Sequence, residues 1–378
     1  MIRKIVFMTG TRADFGKLSS LIDTIEKTDS FECHIFVTGM HTLEKYGSTF
    51  DEVEKKGYKN ITIFHNQTDT NQQDIILAKT ITGFSKFIKQ ISPDMIIVHG
   101  DRIETLAGAI VGSLNNILVS HIEGGEISGT VDELIRHAVT KLSHIHFAAN
   151  NDAKQRLIQL GESKNSIFVI GSPDIEVMTS VELPTIDQVM EHYKIPFKDF
   201  AIFIFHPITT ELDALQQQIS EVISSLIESN KNYIVIYPNN DTGTEIILEE
   251  IKKIENNKKF VIFPSIRFLY FLTMLKNAQF IIGNSSAAVR EAEVFGTPAI
   301  NIGTRQQNRS KNDEIFNVEP RKNLILNVIK QVENKRFKEK SFFGYVDNTT
   351  KRFLDILCNT SVWETSIQKQ FIDIQQFK

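Results

Sequence analysis

The chain is short of several things, and each shortage closes off a class of protein. Only two cysteines, Cys33 and Cys358, occur in 378 residues, one near each end. That rules out a disulfide framework or a cysteine-rich zinc site and suits a reducing compartment. No apolar run approaches the roughly 18 residues of a membrane-spanning helix, and the apolar part of MIRKIVFMTGTRAD is too short for a signal peptide, so a cytoplasmic protein is expected. Positive charge is not in excess either. The formal net charge is -4 with 23% charged residues, which gives no basic field for nucleic acid or an anionic membrane. Heptads, low-complexity tracts and short repeats are missing. The loop from Gly10 to Lys17 has neither G-x-G-x-x-G nor G-x-x-x-x-G-K-[ST] spacing, so neither a nicotinamide cofactor nor ATP hydrolysis is indicated. His144 and His146 have the spacing of a metal pair, but strand alternation explains it and no further ligands sit nearby; no metal and no cofactor are expected.

What is present is alternation. Short apolar runs at 2–8, 31–37, 95–98, 117–122, 144–149 and 167–170 end in Gly, His, Asn or Thr and are separated by amphipathic stretches. This is the pattern of a parallel sheet with helices on both faces. A second series follows at 200–205, 233–237, 260–263, 280–282 and 299–302. The length exceeds that of a usual single core, so two doubly wound α/β domains are expected. Gly171-Ser172-Pro173 and a polar run with Pro184 and Pro196 read as the connection. The domains are therefore drawn at 1–172 and 173–353. The stretch from Ser361 to Ile374 reads as helical, and a helix over 354–378 is expected to complete the first domain.

The segment HIEGGEISGTVDELIRH, His121 to His137, concentrates the chemistry. Its apolar strand breaks at Gly124-Gly125, and Thr130-Val131-Asp132-Glu133 has the T-x-x-E form of a capping box, which opens a helix near Val131. Glu123 then lies at the carboxyl end of a strand and Asp132 in the first turn of the next helix, the edge where open α/β sheets bind ligands. A carboxylate continuing an apolar strand is costly to bury without a partner or a task. Glu126 and Glu133, by contrast, read as a solvated loop charge and a helix-end complement. Asp101-Arg102 ends another strand, and Asp101, Glu123 and Asp132 together resemble general acid and base equipment. A loop salt bridge is the other reading of Asp101 and Arg102.

Arg12 sits at a strand-to-helix turn that suits an anion, though a surface arginine would look the same. Gly283-Asn284-Ser285-Ser286 leads from a strand into a helix, where small residues would let phosphate oxygens approach amides and hydroxyls. Glu291, further along, is placed to accept from a ribose hydroxyl. Arg305 closes the next strand, and His206 ends the first strand of this series.

Together GTRADFGKL, VTGMH, HGDR, HIEGGEISGT, FHPITTE, YPNND, GNSSAAVREAEVFGTP and NIGTRQ resemble the hydrolysing UDP-N-acetylglucosamine 2-epimerases of bacterial sialic acid synthesis, over nearly the whole chain. The sequence is also similar to the epimerase half of the bifunctional animal enzyme. Non-hydrolysing relatives carry GTRPE and HVEAGL where this chain has GTRAD and HIEGGE. The resemblance implies a GT-B-like pair of Rossmann-type domains with a cleft between them and a UDP-sugar substrate. It implies that Arg12, Arg102, His206, Asn239, Ser285, Ser286, Glu291 and Arg305 bind UDP, with Ile266 as a main-chain contact to the base. Asp101, Glu123 and Asp132 match the catalytic acids, and His41 matches a residue at the sugar site. Gly16 departs from a serine that touches phosphate in some relatives. The partners expected are the UDP-sugar and further copies of the chain, as dimer or tetramer. The same reaction on UDP-2,4-diacetamido-2,4,6-trideoxyglucose, for legionaminic acid, is the near alternative; a glycosyltransferase and a non-catalytic UDP-sugar sensor are the more distant ones.

Overall fold

The computed structural model describes residues 2–67, 72–128, 130–180, 182–306, 309, 314–339, 348–370 and 372–373. The chain divides into two compact units, one of Met1–Glu126, Asp132–Ser180 and Phe343–Lys378, the other of Ile127–Val131 and Val181–Phe342.

The first unit is built on seven strands: β1 (Arg3–Thr9), β2 (Phe31–Val37), β3 (Ile61–Ile63), β4 (Met95–His99), β5 (Leu118–Ile122), β6 (Ile145–Ala148) and β7 (Ile167–Val169). Their order is β3-β2-β1-β4-β5-β6-β7, with every pair parallel. Residues such as Ile5, Phe7, Ile35, Ile97 and Phe147 are fully buried, because helices cover both faces and leave no strand face to solvent. The chain reverses direction of winding at β1 and β4, which are neighbours, so their carboxyl ends flank the switch point of the sheet. Helix Arg12–Glu26 starts directly after β1, where Thr11 caps it by accepting from Asp14 N.

The C-terminal part of the chain returns to this unit. Helix Thr349–Cys358 sets Phe353 against Phe147 and Phe7, with ring centroids 5.0 and 6.4 Å apart. Helix Thr360–Trp363 stacks Trp363 on Phe31 at 6.0 Å. The helix predicted over 354–378 ends there: residues 364–370, 372 and 373 are not helical, and the rest of that range lies outside the described residues. The reason is anchoring. Lys369 Nζ donates to Ser143 O at 2.6 Å and Thr140 O at 3.1 Å, and His144 Nε2 lies 3.0 Å from Ile367 O, contacts that take an extended chain.

The second unit repeats the plan with β8 (Ala201–Ile204), β9 (Tyr233–Ile236), β10 (Phe260–Phe263), β11 (Ile281–Gly283), β12 (Ala299–Ile302) and β13 (Ile315–Val318). The order is β10-β9-β8-β11-β12-β13, again wholly parallel. Gly283 has φ +135°, and a Cβ there would come within 1.8 Å of Ile204 O. Only glycine lets β11 close on β8 at this switch point.

Two edge strands, β3 and β13, were not among the predicted runs. Both are short and only partly covered, so they lack the apolar continuity that marks the inner strands. The division between units also falls after Ser180 and not after Ser172. Helix Pro173–Ser180 stays with the first unit because Asp174, wholly buried, pairs with Lys17 of helix Arg12–Glu26 at 2.9 Å.

Candidate active site

The carboxyl edge of the first sheet gathers ionisable groups from five segments. His99, the last residue of β4, places Nδ1 2.7 Å from Asp14 Oδ1 and Nε2 3.2 Å from Glu123 Oε2. Burial works against charge on this imidazole, but the flanking Glu123 and Asp14 carboxylates outweigh it and raise its pKa to about 9. His99 is therefore a cation held between two acids. Asp14 Oδ2 also accepts from Gly10 N at 3.1 Å, which fixes the turn after β1.

Glu123 adopts φ +62°, a left-handed conformation unusual for a non-glycine residue and typical of functional sites when neighbours hold it. The neighbours are identifiable. Glu123 N donates to Phe147 O at 3.0 Å, Arg136 Nη1 donates to Glu123 O at 2.6 Å, and Ser172 Oγ donates to Glu123 Oε1. The second guanidinium nitrogen of Arg136 bonds Asp101 Oδ2. Arg136 is 2% exposed and lies one turn after Asp132 in helix Val131–Leu142, so this single side chain ties Asp101 and Glu123 to the helix that carries the third acid. His121 Nε2 lies 2.8 Å from Gly100 O, which steadies the main chain just before Asp101. Burial holds the pKa of His121 down to about 3, so it is neutral.

Asp101 and Arg102 diverge, as neighbouring side chains do. Arg102 Nε instead contacts Glu104 Oε2 at 3.3 Å. Glu104 is 2% exposed, and Gly39 makes room for it: a Cβ on Gly39, at φ +63°, would lie 2.5 Å from Glu104 Oε1. Arg12 is likewise held, with Nη2 2.7 Å from Glu52 Oε1.

One sequence reading needs correction. Glu126, read as a solvated loop charge, is 5% exposed, because Arg156 Nη1 donates to the neighbouring Gly125 O at 3.1 Å and draws the loop inward. His41 is wholly buried, with Nε2 3.1 Å from Thr9 Oγ1 and Nδ1 2.8 Å from Thr49 Oγ1. Burial lowers its pKa to about 4. It is a neutral brace between β1 and the segment at Thr49, with both ring nitrogens engaged. Glu133 pairs with His137 at 3.1 Å along the helix.

In the second unit Asn284 is the hub. His206 N donates to Asn284 Oδ1 at 2.6 Å, and Asn284 Nδ2 returns a bond to His206 O at 2.8 Å. Asn284 O accepts from Arg305 Nη1 at 3.3 Å and Gln306 Nε2 at 2.9 Å. The ends of β8, β11 and β12 are thereby fixed together. Asn239 N donates to His206 Nδ1 at 3.0 Å, which leaves the neutral ring's proton on Nε2. Ser285 accepts from Ala287 N at 3.3 Å and opens the turn at Ser286–Ala288. Glu291 begins helix Glu291–Val294 and is 4% exposed. Ile266, 7% exposed, precedes Arg267, whose N donates to Tyr193 Oη at 3.0 Å.

The sequence reading named the three acids but missed Asp14, His99, Arg136, Ser172 and Asp174, which build the network around Asp101 and Glu123. His99 and Ser172 did carry a signal, since each closes an apolar strand or precedes a proline in a segment rich in other such residues.

Both sheets, with charged and amide groups collected at the carboxyl edge of the switch point, define a doubly wound, nucleotide-binding type of α/β protein. The chain belongs to the UDP-N-acetylglucosamine 2-epimerase family, whose profile matches residues 23–358. It is 46% identical over 99% of its length to a Neisseria meningitidis UDP-N-acetylglucosamine 2-epimerase, covering 100% of that protein. It is 35% identical to a Legionella pneumophila UDP-N,N'-diacetylbacillosamine 2-epimerase (hydrolyzing), with 91% and 93% of the two chains covered. To the Escherichia coli polysialic acid biosynthesis protein P7 it is 33% identical, with 89% and 88% covered. Among solved structures, the Methanocaldococcus jannaschii UDP-GlcNAc 2-epimerase in complex with UDP-GlcNAc and UDP shares the GT-B-like fold, with a TM-score of 0.77, 24% identity and 94% and 99% of the chains covered.

Proposed function

We propose that this protein is a hydrolysing UDP-N-acetylglucosamine 2-epimerase that converts UDP-N-acetylglucosamine and water to N-acetylmannosamine and UDP for sialic acid synthesis. The observation that carries the reading is Arg136, which bonds Asp101 and the main chain of Glu123 from the helix that bears Asp132. One buried cation thus fastens Asp101 and the backbone of Glu123 to the helix of Asp132, an arrangement that two-step proton chemistry can use.

The C2 proton of N-acetylglucosamine is too weakly acidic for direct removal. Departure of UDP through an oxocarbenium-like state makes it removable, so one carboxylate takes it and 2-acetamidoglucal results. Water then adds its hydroxyl at C1 and gives its remaining proton to a carboxylate, while another acid returns a proton to C2 on the opposite face. Ser285, Ser286, Arg305, His206 and Asn239 are assigned to the uridine diphosphate, with Glu291 on the ribose and the main chain of Ile266 on the base; Arg12 and Arg102 meet the diphosphate. The groups assigned to the diphosphate stabilise the leaving group by about 3 kcal/mol or more. Asp101, Glu123 and Asp132 act on the hexose, and His41 acts by positioning Thr9 and Thr49. The route uses protons alone and needs no redox cofactor.

Proton NMR of UDP-N-acetylglucosamine with the purified protein tests the reading. Free N-acetylmannosamine and UDP should accumulate; a standing mixture of two intact UDP-sugars would indicate reversible epimerisation instead. The relationship to a diacetylbacillosamine epimerase favours one second reading, the same reaction on UDP-2,4-diacetamido-2,4,6-trideoxyglucose. Competition of the two sugars in one sample decides between them. The two free cysteines, Cys33 and Cys358, accord with a cytoplasmic home. Light scattering of the purified protein checks the proposed dimer or tetramer.

A further inference from the structure

Ser172 lies behind Glu123 and is itself wholly buried. Its Oγ is in hydrogen-bonding contact with Glu123 Oε1 on one side and Asp174 Oδ1 on the other. A hydroxyl has one hydrogen to donate. Two ionised carboxylates cannot both receive it, so a further proton must sit on one of them for both contacts to be attractive.

We infer that Ser172 is a proton switch between Glu123 and Asp174, and that Asp174 is the store from which Glu123 is reset during turnover. The second half of the statement rests on the epimerase reading above. In one state Glu123 holds the proton and donates to Ser172 Oγ, whose own hydrogen points to Asp174. In the other, Asp174 holds the proton and donates to Ser172, whose hydrogen points to Glu123. Passage between them moves one proton from Glu123 to the hydroxyl and one from the hydroxyl to Asp174, with no heavy atom displaced and no net change in charge. Lys17 at 2.9 Å and the Ile175 N–H at 2.8 Å steady Asp174 in its ionised state. Glu123 can therefore take up or give out a proton on its sugar side without waiting for solvent to reach a side chain that is 3% exposed. Ser172 and Asp174 are positioning residues that act through Glu123.

Infrared difference spectroscopy in water and deuterium oxide tests the shared proton independently of turnover. The wild-type protein should show the carbonyl stretch of a protonated carboxyl, and both Glu123→Gln and Asp174→Asn should abolish it, because the proton needs the pair. No such band, or a band lost in only one variant, overturns the switch whatever the protein catalyses. A band that behaves as stated in a protein that does not release UDP leaves the switch standing and sinks the epimerase reading. Where turnover is seen, Ser172→Ala should lower kcat by about 10- to 100-fold with KM within about threefold of wild type. Ser172→Thr keeps the hydroxyl and suits the extended backbone before Pro173, so it should restore most of the rate. Asp174→Asn added to Ser172→Ala should cost little more than Ser172→Ala alone; fully multiplicative losses overturn the store.

Discussion

The side-chain amide of Asn284 and the main chain of His206 exchange two hydrogen bonds, 2.6 and 2.8 Å long, so β8 and β11 are joined beyond the point where their ladder ends. Asn284→Ala leaves a donor and an acceptor of His206 without partners. Each costs about 1–3 kcal/mol, and the urea midpoint of the second unit should fall accordingly. Asn284→Asp keeps the acceptor but sets a carboxylate oxygen against His206 O. Calorimetry with UDP should show at least about tenfold weaker binding for that variant.

Arg136 yields a different signature. Arg136→Lys retains the charge but not the planar fork that reaches Asp101 and Glu123 O together. The kcat should fall about 100-fold or more while UDP affinity stays within about threefold, since no residue assigned to UDP depends on it. Arg136→Met removes the cation from a buried pair, and stability should drop by about 3–5 kcal/mol. Unchanged kcat in Arg136→Lys would remove the main support for the proposed chemistry.

The contrast between these residues and the acids shows what a sequence can carry. Strands β2 and β12 coincide with their predicted limits because buried parallel strands are continuous apolar runs bounded by turn residues, and the half-covered edge strand β10 does so because its four residues are all apolar. The edge strands β3 and β13 escaped because each is half covered and mixes polar with apolar residues. Glu123 stood out because it follows such a run directly, and Asp101 because it lies two residues beyond the end of a strand. Their partners did not, since Ser172 lies 49 positions from Glu123 and His99 lies 85 from Asp14. Pairings of that span are set by the switch-point topology and leave no local pattern. Ser172 even read as part of a linker, because Gly-Ser-Pro is common there; its burial comes from helix Pro173–Ser180 docking on the first unit.

Three buried histidines give the protein a two-sided pH dependence. His99 is raised to about 9, above the unfolded value of 6.5. The native state keeps a proton that the unfolded chain releases, so its contribution is complete below pH 6.5 and is lost as pH rises towards about 9. His41 and His121 are lowered to about 4 and about 3 by burial. The unfolded chain protonates them first on acidification, so each removes stability by about 1.4 kcal/mol per pH unit below the unfolded value. Urea titrations across pH should therefore show a maximum near neutrality. His99→Gln should flatten the alkaline side only, and His121→Gln the acid side only. An alkaline side unchanged in His99→Gln would show that the imidazole is not a cation between Asp14 and Glu123.

Enzyme and sensor part most clearly at the acids themselves. Asp101→Asn, Glu123→Gln and Asp132→Asn keep the shape of each side chain while removing its ability to take a proton. If the three act on the hexose in separate proton transfers, each variant should lower kcat by about 100-fold or more with UDP affinity within about threefold. A UDP-sugar sensor has no proton to move, so its ligand affinity and output would be indifferent to all three changes. Asp101→Asn carries an added cost, because Arg136 Nη2 then faces a neutral amide and the buried guanidinium loses its counter-charge. Its thermal midpoint should drop below those of Glu123→Gln and Asp132→Asn. Equal midpoints with full activity in all three would mean that the acids are structural and that the reaction is performed elsewhere or not at all.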